Sequence, residues 1–513
     1  MPPIEQSETL PKPAAQVPRL PFLNSYAALP ARFYTRQAPV PVAQPRLIKF
    51  NQALAAELGL GLESTDTATL ESIFSGNQVP PGADPIAMAY AGHQFGQFVP
   101  QLGDGRAILL GEVNDRTGAR RDIQLKGAGI TLYSRNGDGR AAIGPVLREY
   151  LVSEAMHALG IPATRALAAV ATGEVVIRET GLPGAILTRV AASHVRVGTF
   201  QYFAARGDSQ ALQELADYVT ARHYPHLKSA GRPYLELLRA VCERQAQLVA
   251  SWMSVGFIHG VMNTDNMAVS GETIDFGPCA FMDAYDPATV FSSIDSMGRY
   301  AYANQPAAAQ WNLARFAETL LPLIDADANR AVESATEVIA AFAPSFQERW
   351  LAAMRAKMGL LEAAPGDGKL VSEWLDLMHR NQCDFTLTFR RLCAAANALP
   401  DAATLRADAL LRTGFMRPDE YDAWAVTWRT RLEREPASAE ERAAAMRRVN
   451  PAYVPRNHRV EQALAAAAER LDFGPFEQLL RVLSDPYRER EEFAMYAIPP
   501  RPEERVQRTF CGT

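Results

Sequence analysis

Two short apolar runs, 106–113 and 122–126, lie close together in the chain. The residues between them include Asn-Asp-Arg-Thr-Gly, which is typical of a turn, so the pattern predicts a β-hairpin. Residues 144–159 then repeat apolar side chains at helical spacing. Gly160 and Pro162 follow directly, and they favour the end of a helix there.

Strands are predicted again after this helix. Two of them flank a turn at Thr172–Gly173, and a third covers 185–190. Beyond about residue 200 the chain becomes helical and rich in alanine. The order of strand, strand, helix and three strands is similar to the small lobe of a protein kinase. We therefore expect an α+β protein with a kinase-like bilobal fold.

Changes in composition along the chain predict four segments. Residues 1–45 contain many prolines and little periodicity, which indicates an extended arm. The predicted organisation is an amino-terminal arm at 1–85, a small lobe at 86–200, a large lobe at 201–410, and a carboxyl-terminal helical extension and tail at 411–513. Within the extension, charges alternate in sign over 431–448, as in a solvated helix.

The overall composition argues against several classes of protein. The chain has 513 residues, of which 48% are hydrophobic and 21% charged, and its net charge is −5. Such a chain can bury a large core, but its negative charge argues against a mainly electrostatic nucleic-acid binder. No apolar run approaches the roughly 20 residues of a spanning helix, and no signal pattern begins the chain. We expect a soluble, cytoplasmic protein without a nucleic-acid or membrane partner.

The most informative local pattern is the run from His259 to Asn266, which reads H-G-V-M-N-T-D-N, followed by D-F-G at 275–277. It resembles the catalytic and metal-binding loops of protein kinases, H-R-D-x-x-x-x-N and D-F-G. Asn266 takes the metal-binding position, but Val261 stands where the catalytic Asp is expected. Because valine cannot accept a proton, the pattern indicates a phosphate site that lacks the usual base.

Two residues of these loops are candidate metal ligands. Asn266 and Asp275 offer hard oxygen atoms, which suit Mg²⁺ bridging phosphate oxygens. The alternative is a structural turn without a metal. Asp265 is the carboxylate placed to replace the missing base, and the alternative for it is to orient a metal ligand without accepting a proton.

Lys126 and Glu149 form a second candidate pair. Only six residues of the chain are lysines, so a lysine at the end of an apolar strand indicates a need for a compact charge. Glu149 lies in the following predicted helix, where it can hold a lysine that grips nucleotide phosphates. The alternative is a surface lysine and an unrelated glutamate.

Two glycine-rich turns and two arginines complete the candidates. Glycine allows close approach of the backbone to phosphate, and arginine adds forked hydrogen bonds. The turns are 103–106 (G-D-G-R) and 136–140 (N-G-D-G-R), and by spacing alone each also fits a hairpin turn. Arg189 and Arg196 follow the last strand of the predicted small lobe, where they fit either phosphate clamping or salt bridges.

Several longer motifs together resemble the selenoprotein O family, also called the YdiU family. They are Tyr90–Gly96, Leu102–Ala107, Leu125–Gly129, Tyr133–Arg135, Gly137–Ala141, His259–Met267, Asn450–Pro451 and Arg456–Asn457. The resemblance covers roughly residues 20 to 513. One departure is Leu132, where relatives commonly have proline, and we expect it to change loop stiffness more than chemistry.

The resemblance implies a pseudokinase fold that transfers AMP from ATP to Ser, Thr or Tyr hydroxyls of proteins and releases pyrophosphate. The nucleotide is then inverted relative to a kinase, so that its α-phosphate faces the acceptor. Mg²⁺ or Mn²⁺ is the implied metal, and UMP transfer is also associated with the family. The residues implied to contact ATP are Gly103, Gly105, Arg106, Lys126, Asp138, Gly139, Arg189, Arg196 and Asp275. Asn266 and Asp275 are implied to hold the metal, Asp265 to accept the proton, and Glu149 to pair with Lys126.

The five cysteines form no close-spaced pair, which argues against a zinc site. Free thiols are the ordinary expectation in a cytosolic protein. Some relatives have selenocysteine near the carboxyl end, where Cys511 lies here. Together with the position of Cys279 after D-F-G, this gives a second hypothesis, a reversible Cys279–Cys511 disulfide that regulates activity.

Two other functions fit the motifs. One is an atypical kinase, which transfers the γ-phosphate of ATP. The other is a nucleotide-binding scaffold without catalysis. The scaffold has no need to keep Lys126, Glu149, Asn266 and Asp275 together, so the sequence favours an enzyme.

Overall fold

An eight-stranded antiparallel sheet forms the amino-terminal lobe of the protein, and helices form the rest. The computed structural model describes residues 17–396 and 408–510. Its strands are β1 (Tyr34–Arg36), β2 (Arg46–Phe50), β3 (Ile86–Met88), β6 (Ala107–Asn114), β7 (Arg120–Lys126), β8 (Ala141–Ala142), β9 (Arg165–Ile177) and β10 (Gly181–Ala191). Seven of them follow one another in the order β1-β3-β6-β7-β10-β9-β2, and β8 pairs with β10. The α+β class predicted from the sequence is confirmed.

Two short hairpins stand apart from this sheet. One consists of β4 (Gly92–Gln94) and β5 (Gln97–Val99), and the other of β11 (Phe257–Ile258) and β12 (Ala280–Phe281). The second hairpin encloses the segment with the H-G-V-M-N-T-D-N and D-F-G patterns. Both hairpins therefore bear on the site described below.

The predicted hairpin and the helix after it are both confirmed. β6 pairs antiparallel with β7, and Asp115 closes the turn because its Oδ1 accepts hydrogen bonds from the amides of Thr117 and Ala119 at 2.9 and 3.0 Å. The helix α3 (Ile143–Ala158) buries one face against β9 and β10. This packing fixes the lysine at the end of β7 and the glutamate of α3 on neighbouring elements.

The predicted turn at Thr172–Gly173 is wrong. β9 continues through it, and the chain reverses only at 178–180. Pro183 pairs with Val175 and Ala185 with Ala171, so extra residues of β9 stand opposite one residue of β10. Gly173 has a φ of 73°, so a glycine that suggested a turn instead forms a β-bulge.

The amino-terminal segment predicted as an arm contributes two strands to the sheet. β1 pairs with β3, and β2 pairs with β9 at the opposite edge. Two helices, α1 (Gln52–Glu57) and α2 (Thr67–Phe74), follow β2. α2 packs on β2, β9 and β10. This segment therefore covers part of the sheet.

Helices make up the remainder of the described chain. They are α4 (Val197–Ala204), α5 (Ser209–His223), α6 (Pro233–Ser254), α7 (Gln305–Ile324), α8 (Ala328–Ala340), α9 (Phe342–Lys357), α10 (Asp367–Arg380), α11 (Phe385–Ala395), α12 (Pro418–Leu432), α13 (Ala439–Val449), α14 (Asn457–Arg470), α15 (Gly474–Leu483) and α16 (Ala494–Ala497). Within the residues that the structure describes, no helix is both long and apolar enough to span a membrane.

The interpretation of 431–448 as one solvated helix is wrong. α12 ends at Leu432 and α13 begins at Ala439, where Ser438 and Glu441 form a capping box. Arg431 is buried, and it donates hydrogen bonds to Asp367 and Glu435 at 2.8 and 2.7 Å. The alternating charges thus belong to two helices and to a buried ion pair.

Candidate active site

A cavity of about 780 Å³ brings nearly all of the predicted site residues together. Its lining includes Gly103, Gly105, Arg106, Lys126, Asp138, Gly139, Arg189, Arg196, Asp265, Asn266 and Asp275. Glu149 does not line the cavity but contacts Lys126 from α3. Seven side chains of the lining are Lys or Arg and four are Asp, in a chain with a net charge of −5. The cavity therefore concentrates positive charge and favours a polyanionic ligand.

Lys126 lies between two carboxylates. Its Nζ donates a hydrogen bond to Glu149 Oε2 at 2.6 Å and also contacts Asp275 Oδ1. Arg189 donates to the same Asp275 oxygen at 2.8 Å and to Glu149 Oε1 at 3.2 Å. The predicted Lys126–Glu149 pair is present, and Arg189 connects it to the D-F-G aspartate.

Asp275 is the centre of this network. Burial alone would raise the pKa of its carboxyl, but the charges of Lys126, Arg189 and Arg196 outweigh burial and hold that pKa well below its usual range. Its φ of 65° is in the left-handed region, which is uncommon for a residue with a side chain. The carboxylate is therefore a fixed anion at physiological pH.

Asp265 has the opposite environment. It is only 7% exposed, and within the described chain its Oδ1 has no hydrogen-bond partner. Burial raises the pKa of Asp265 to about 6, although Arg196 opposes the shift. A Cβ on Gly92 would lie 2.7 Å from Asp265 Oδ1, so glycine at that position lets β4 pass close to the carboxylate. Such a carboxylate is suited to accepting a proton.

Contacts from side chains to backbone carbonyls hold the loop from His259 to Asn266 in place. His259 Nε2 lies 3.0 Å from the carbonyl oxygen of Ile274, which links this loop to the residue preceding Asp275. Asn266 donates through Nδ2 to the carbonyl of Val261 at 3.0 Å, and this leaves its side-chain oxygen as an acceptor. Val261 thus positions Asn266 through its backbone, in the place where a kinase has its base.

The donor atoms fit a hard divalent cation. Asn266 and Asp275 both line the cavity and supply amide and carboxylate oxygens. The described residues contain no cluster of three or more His, Cys, Asp or Glu side chains that would hold a metal by themselves. This fits Mg²⁺, which proteins usually bind through one or two side chains plus phosphate oxygens and water.

The two glycine-rich turns lie on the cavity wall. At Gly103 the φ is 71° and a Cβ would overlap the ring of Tyr133, so a larger residue would displace that ring. Asp138 forms a forked contact with Arg178 at 2.8 and 3.1 Å, and this contact lowers the pKa of Asp138. Asp138 is therefore paired with Arg178, for which the sequence predicted no role.

Tyr90 and Gln94 also line the cavity, although no chemical role was predicted for them. Arg196 stacks over the ring of Tyr90 at 4.4 Å and lies 3.9 Å from the buried carboxylate of Asp104. Gln94 donates to Asp265 Oδ2 at 3.4 Å. Tyr90 and Gln94 belong to the Tyr90–Gly96 motif, so the signal was present in the sequence but no chemistry was assigned to it.

Helix α14 holds the segment that follows D-F-G. Asn457 accepts a hydrogen bond from the amide of Phe281 at 3.2 Å and donates one to its carbonyl at 2.7 Å. Arg456 contacts Asp283 at 3.0 Å and Asp384 at 2.7 Å. The Arg456–Asn457 motif therefore acts by fixing this segment from outside the cavity.

Cys279 lies in the same segment and is buried. Thr509, near the carboxyl end of the chain, pairs with this region, because its amide donates to the carbonyl of Phe291 at 2.7 Å and its hydroxyl donates to that of Pro278. Cys511, the partner in the predicted disulfide, lies outside the described residues.

The site thus combines a basic cavity with a lysine–glutamate pair, the side-chain oxygens of Asn266 and Asp275, and the buried carboxylate of Asp265. A family model described as protein adenylyltransferase SelO matches residues 16–484. The chain belongs to this family.

Individual members are similar over nearly the whole chain. Proteins named protein nucleotidyltransferase YdiU from Rhizobium johnstonii and Rhizobium meliloti are 65% and 64% identical to it. Each match covers 96% of this chain, and 97% and 99% of the respective relative. The relative of the same name from Bradyrhizobium diazoefficiens is 61% identical over 96% of this chain and 99% of its own length. The names of the family and of these relatives indicate a nucleotidyltransferase that acts on proteins.

Proposed function

We propose that this protein transfers AMP from ATP to Ser, Thr or Tyr hydroxyls of other proteins and releases pyrophosphate. The main support is the difference in environment between two carboxylates of the cavity. Asp275 is neutralised by cations, whereas Asp265 has no cation within 4 Å of its carboxylate among the described residues. A buried carboxylate suited to accept a proton thus lies in a cavity suited to phosphates. The proposal includes UMP transfer from UTP by the same residues.

The proposed fold is a kinase-like one with an altered active site. Its support is a sheet lobe with one long helix, followed by a helical lobe, and a lysine–glutamate pair between β7 and α3. We retain the four segments 1–85, 86–200, 201–410 and 411–513 as part of this proposal.

In the proposed reaction, the substrate hydroxyl gives its proton to the Asp265 carboxylate. The hydroxyl oxygen then forms a bond to the α-phosphorus, and the bond from that phosphorus to the bridging oxygen of pyrophosphate breaks. Lys126, Arg189 and Arg196 offset the negative charge that develops on the phosphates. Glu149 orients Lys126 throughout, since it accepts its hydrogen bond at 2.6 Å.

Asn266 and Asp275 would hold Mg²⁺ or Mn²⁺. Such an ion, when bound, supplies Lewis-acid stabilisation of phosphate oxygens. Hard oxygen donors suit both ions, so the residues do not select between them. Gly103, Gly105, Arg106, Asp138 and Gly139 would contact the nucleotide from the wall of the cavity.

Labelled ATP tests the reaction class. Incubation with an acceptor protein extract should transfer label from α-³²P-ATP to protein and none from γ-³²P-ATP. Transfer of the γ label would support the atypical kinase instead. Binding of ATP without transfer of either label would support the non-catalytic scaffold.

A regulatory part of the proposal concerns the thiols. The Cys279–Cys511 disulfide would join the segment after D-F-G to the carboxyl terminus, and the pairing of Thr509 with Pro278 supports a close approach of the two chain segments. Non-reducing peptide mapping after mild oxidation should find the linked peptides. Finding only free thiols would exclude the disulfide.

A further inference from the structure

Three arginines surround the β4–β5 hairpin beside the cavity. Arg206 donates to the carbonyl of Pro100, just after β5, at 3.2 Å. Arg299 approaches the tip of the hairpin, where its Nη1 lies 3.4 Å from the position of a Cβ on Gly96. Arg315 lies over the ring of Trp311 at 5.1 Å, and this ring also contacts His93 of β4 at 5.2 Å. We call Arg206, Arg299 and Arg315 the arginine collar.

Aromatic rings, rather than acids, hold the collar in place. Arg206 stacks on Tyr202 at 3.5 Å, and Arg299 lies over Trp311 at 4.7 Å. Within residues 17–396 and 408–510, no Asp or Glu oxygen lies within 4 Å of the guanidinium of Arg206 or Arg299. A guanidinium stacked on a ring keeps its N–H edge available for a carboxylate. The collar is therefore preorganised for an acidic partner.

Arg315 differs from the other two arginines of the collar, because it has an acidic partner. It pairs with Glu318 at 2.7 Å on the same helix, but the Glu318 side chain is 53% exposed. Exposed pairs of this kind contribute about 0–1 kcal/mol. An incoming carboxylate can compete with such a pair.

The hairpin ties the collar to the reacting groups. Three consecutive residues contact the loop of Asp265: the amide of His93 donates to Thr264 Oγ1 at 2.7 Å, Gln94 donates to Asp265 Oδ2 at 3.4 Å, and the amide of Phe95 donates to Asn263 Oδ1 at 3.0 Å. Gln94 and Phe95 also line the cavity. A polypeptide whose hydroxyl reaches Asp265 would therefore pass beside this hairpin.

We infer that the arginine collar selects acceptor proteins in which acidic residues flank the modified hydroxyl. The inference rests on the proposed function, because it names the acceptor class of the same site. The exposed ring of Phe98, on β5, adds an apolar contact next to the charges. The collar lies outside the set of residues that contact phosphate in the proposal.

Two synthetic peptides test this inference. Each has one serine, flanked by glutamates in the acidic peptide and by lysines in the basic peptide. We expect the wild type to modify the acidic peptide with a kcat/KM about tenfold higher at about 50 mM salt, where surface charges are weakly screened. In the double variant R299A/R315A the preference should fall to about twofold. Arg206 is kept because it also bonds the hairpin backbone.

The matched control is Arg470→Ala, which removes an exposed arginine at the end of α14 and should leave the preference unchanged. ATP affinity, measured by calorimetry, should be equal in all three proteins. Loss of ATP affinity in the double variant would overturn the inference, because it would place these arginines at the nucleotide.

Peptide binding without ATP separates the inference from the proposed function. Fluorescence anisotropy should show that the wild type binds the acidic peptide more tightly than the basic one. The double variant should lose this difference in affinity even if no AMP is transferred. Equal binding of both peptides by the wild type would overturn the inference. Tighter binding of an oligouridylate than of the acidic peptide at the same salt would also overturn it, in favour of a nucleic-acid partner.

Discussion

Two aspartates ten positions apart, Asp265 and Asp275, have environments that drive their ionisation in opposite directions. Burial raises the pKa of the first to about 6, whereas three cations hold that of the second well below its usual range. Enzymes separate acid–base roles between like residues in this way. The sequence identified both residues and their candidate roles. It could not reveal Gln94 as the donor to Asp265, because that contact joins positions 171 residues apart.

Asp265→Asn tests the proton role directly. The amide has nearly the same shape but cannot accept the proton, so the rate of AMP transfer should fall by about 10²- to 10⁴-fold. The affinity for ATP should change by less than about threefold, because the cations and oxygen ligands of the cavity are intact. Transfer rates and calorimetric ATP binding measure the two effects. A variant that kept a tenth of the wild-type rate would exclude Asp265 as the base.

Lys357 shows a residue whose burial the sequence did not indicate. It is 2% exposed, its Nζ lies 4.3 Å from the ring of Phe389, and burial lowers its pKa to about 7. Between pH 7 and 10.5 the unfolded chain binds this proton and the folded protein releases it, so folding stability rises with pH there.

Lys357→Met should therefore raise the free energy of unfolding at pH 7.5 by about 1–3 kcal/mol and reduce its rise with pH, since methionine needs no proton release. Urea denaturation at several pH values measures both quantities. Lys369→Met is the control, because Lys369 is 81% exposed and its replacement should leave the curve unchanged. Equal destabilisation by both substitutions would contradict a cost of burying Lys357.

The spacing of apolar residues was enough to predict the strands and helices that are regular. The hairpin of β6 and β7 and the helix α3 begin and end within one or two residues of the prediction. The pattern failed at Gly173, because a glycine with positive φ fits a bulge as well as a turn, and only the register with β10 distinguishes them. It failed at 431–448 because charges on two helices and in a buried pair look like one exposed face.

The role of α14 also depends on contacts distant in sequence. Asn457 satisfies both backbone groups of Phe281, which is 176 residues away and buried. Asn457→Ala would leave these groups unpaired, so we expect a loss of about 2–4 kcal/mol in unfolding free energy and slower AMP transfer. Urea midpoints and transfer rates check this. Gln462→Ala removes an exposed amide from the same helix and should have little effect. Equal effects of the two variants would contradict this role of Asn457.

For the whole molecule, the distribution of charge matters more than its sum. The net charge of −5 gave no reason to expect nucleic-acid binding, and it does not show that one cavity is lined by seven basic and four acidic side chains. Composition could not show this, because the basic residues are scattered along the sequence from Arg106 to Arg196 and meet only in the fold.

The basic lining of the cavity predicts that the affinity for ATP depends strongly on salt concentration. Raising NaCl from about 50 to about 500 mM should weaken ATP binding by roughly tenfold, since salt screens the attraction between phosphates and the partly open cavity. Adenosine, which lacks phosphates, is the control and should bind with nearly constant affinity. Isothermal titration calorimetry measures both. Parallel weakening of adenosine and ATP would contradict an electrostatic origin.

In the proposed reaction, the cavity presents the α-phosphorus of ATP to a hydroxyl near Asp265. A crystal structure with Mg²⁺ and a non-hydrolysable ATP analogue measures this directly. We expect the α-phosphorus to be the phosphorus atom nearest to Asp265, with the outer phosphates bound by Lys126 and the cavity arginines. A γ-phosphorus nearest to Asp265, with the α-phosphate held away from it, would contradict transfer of AMP by this site.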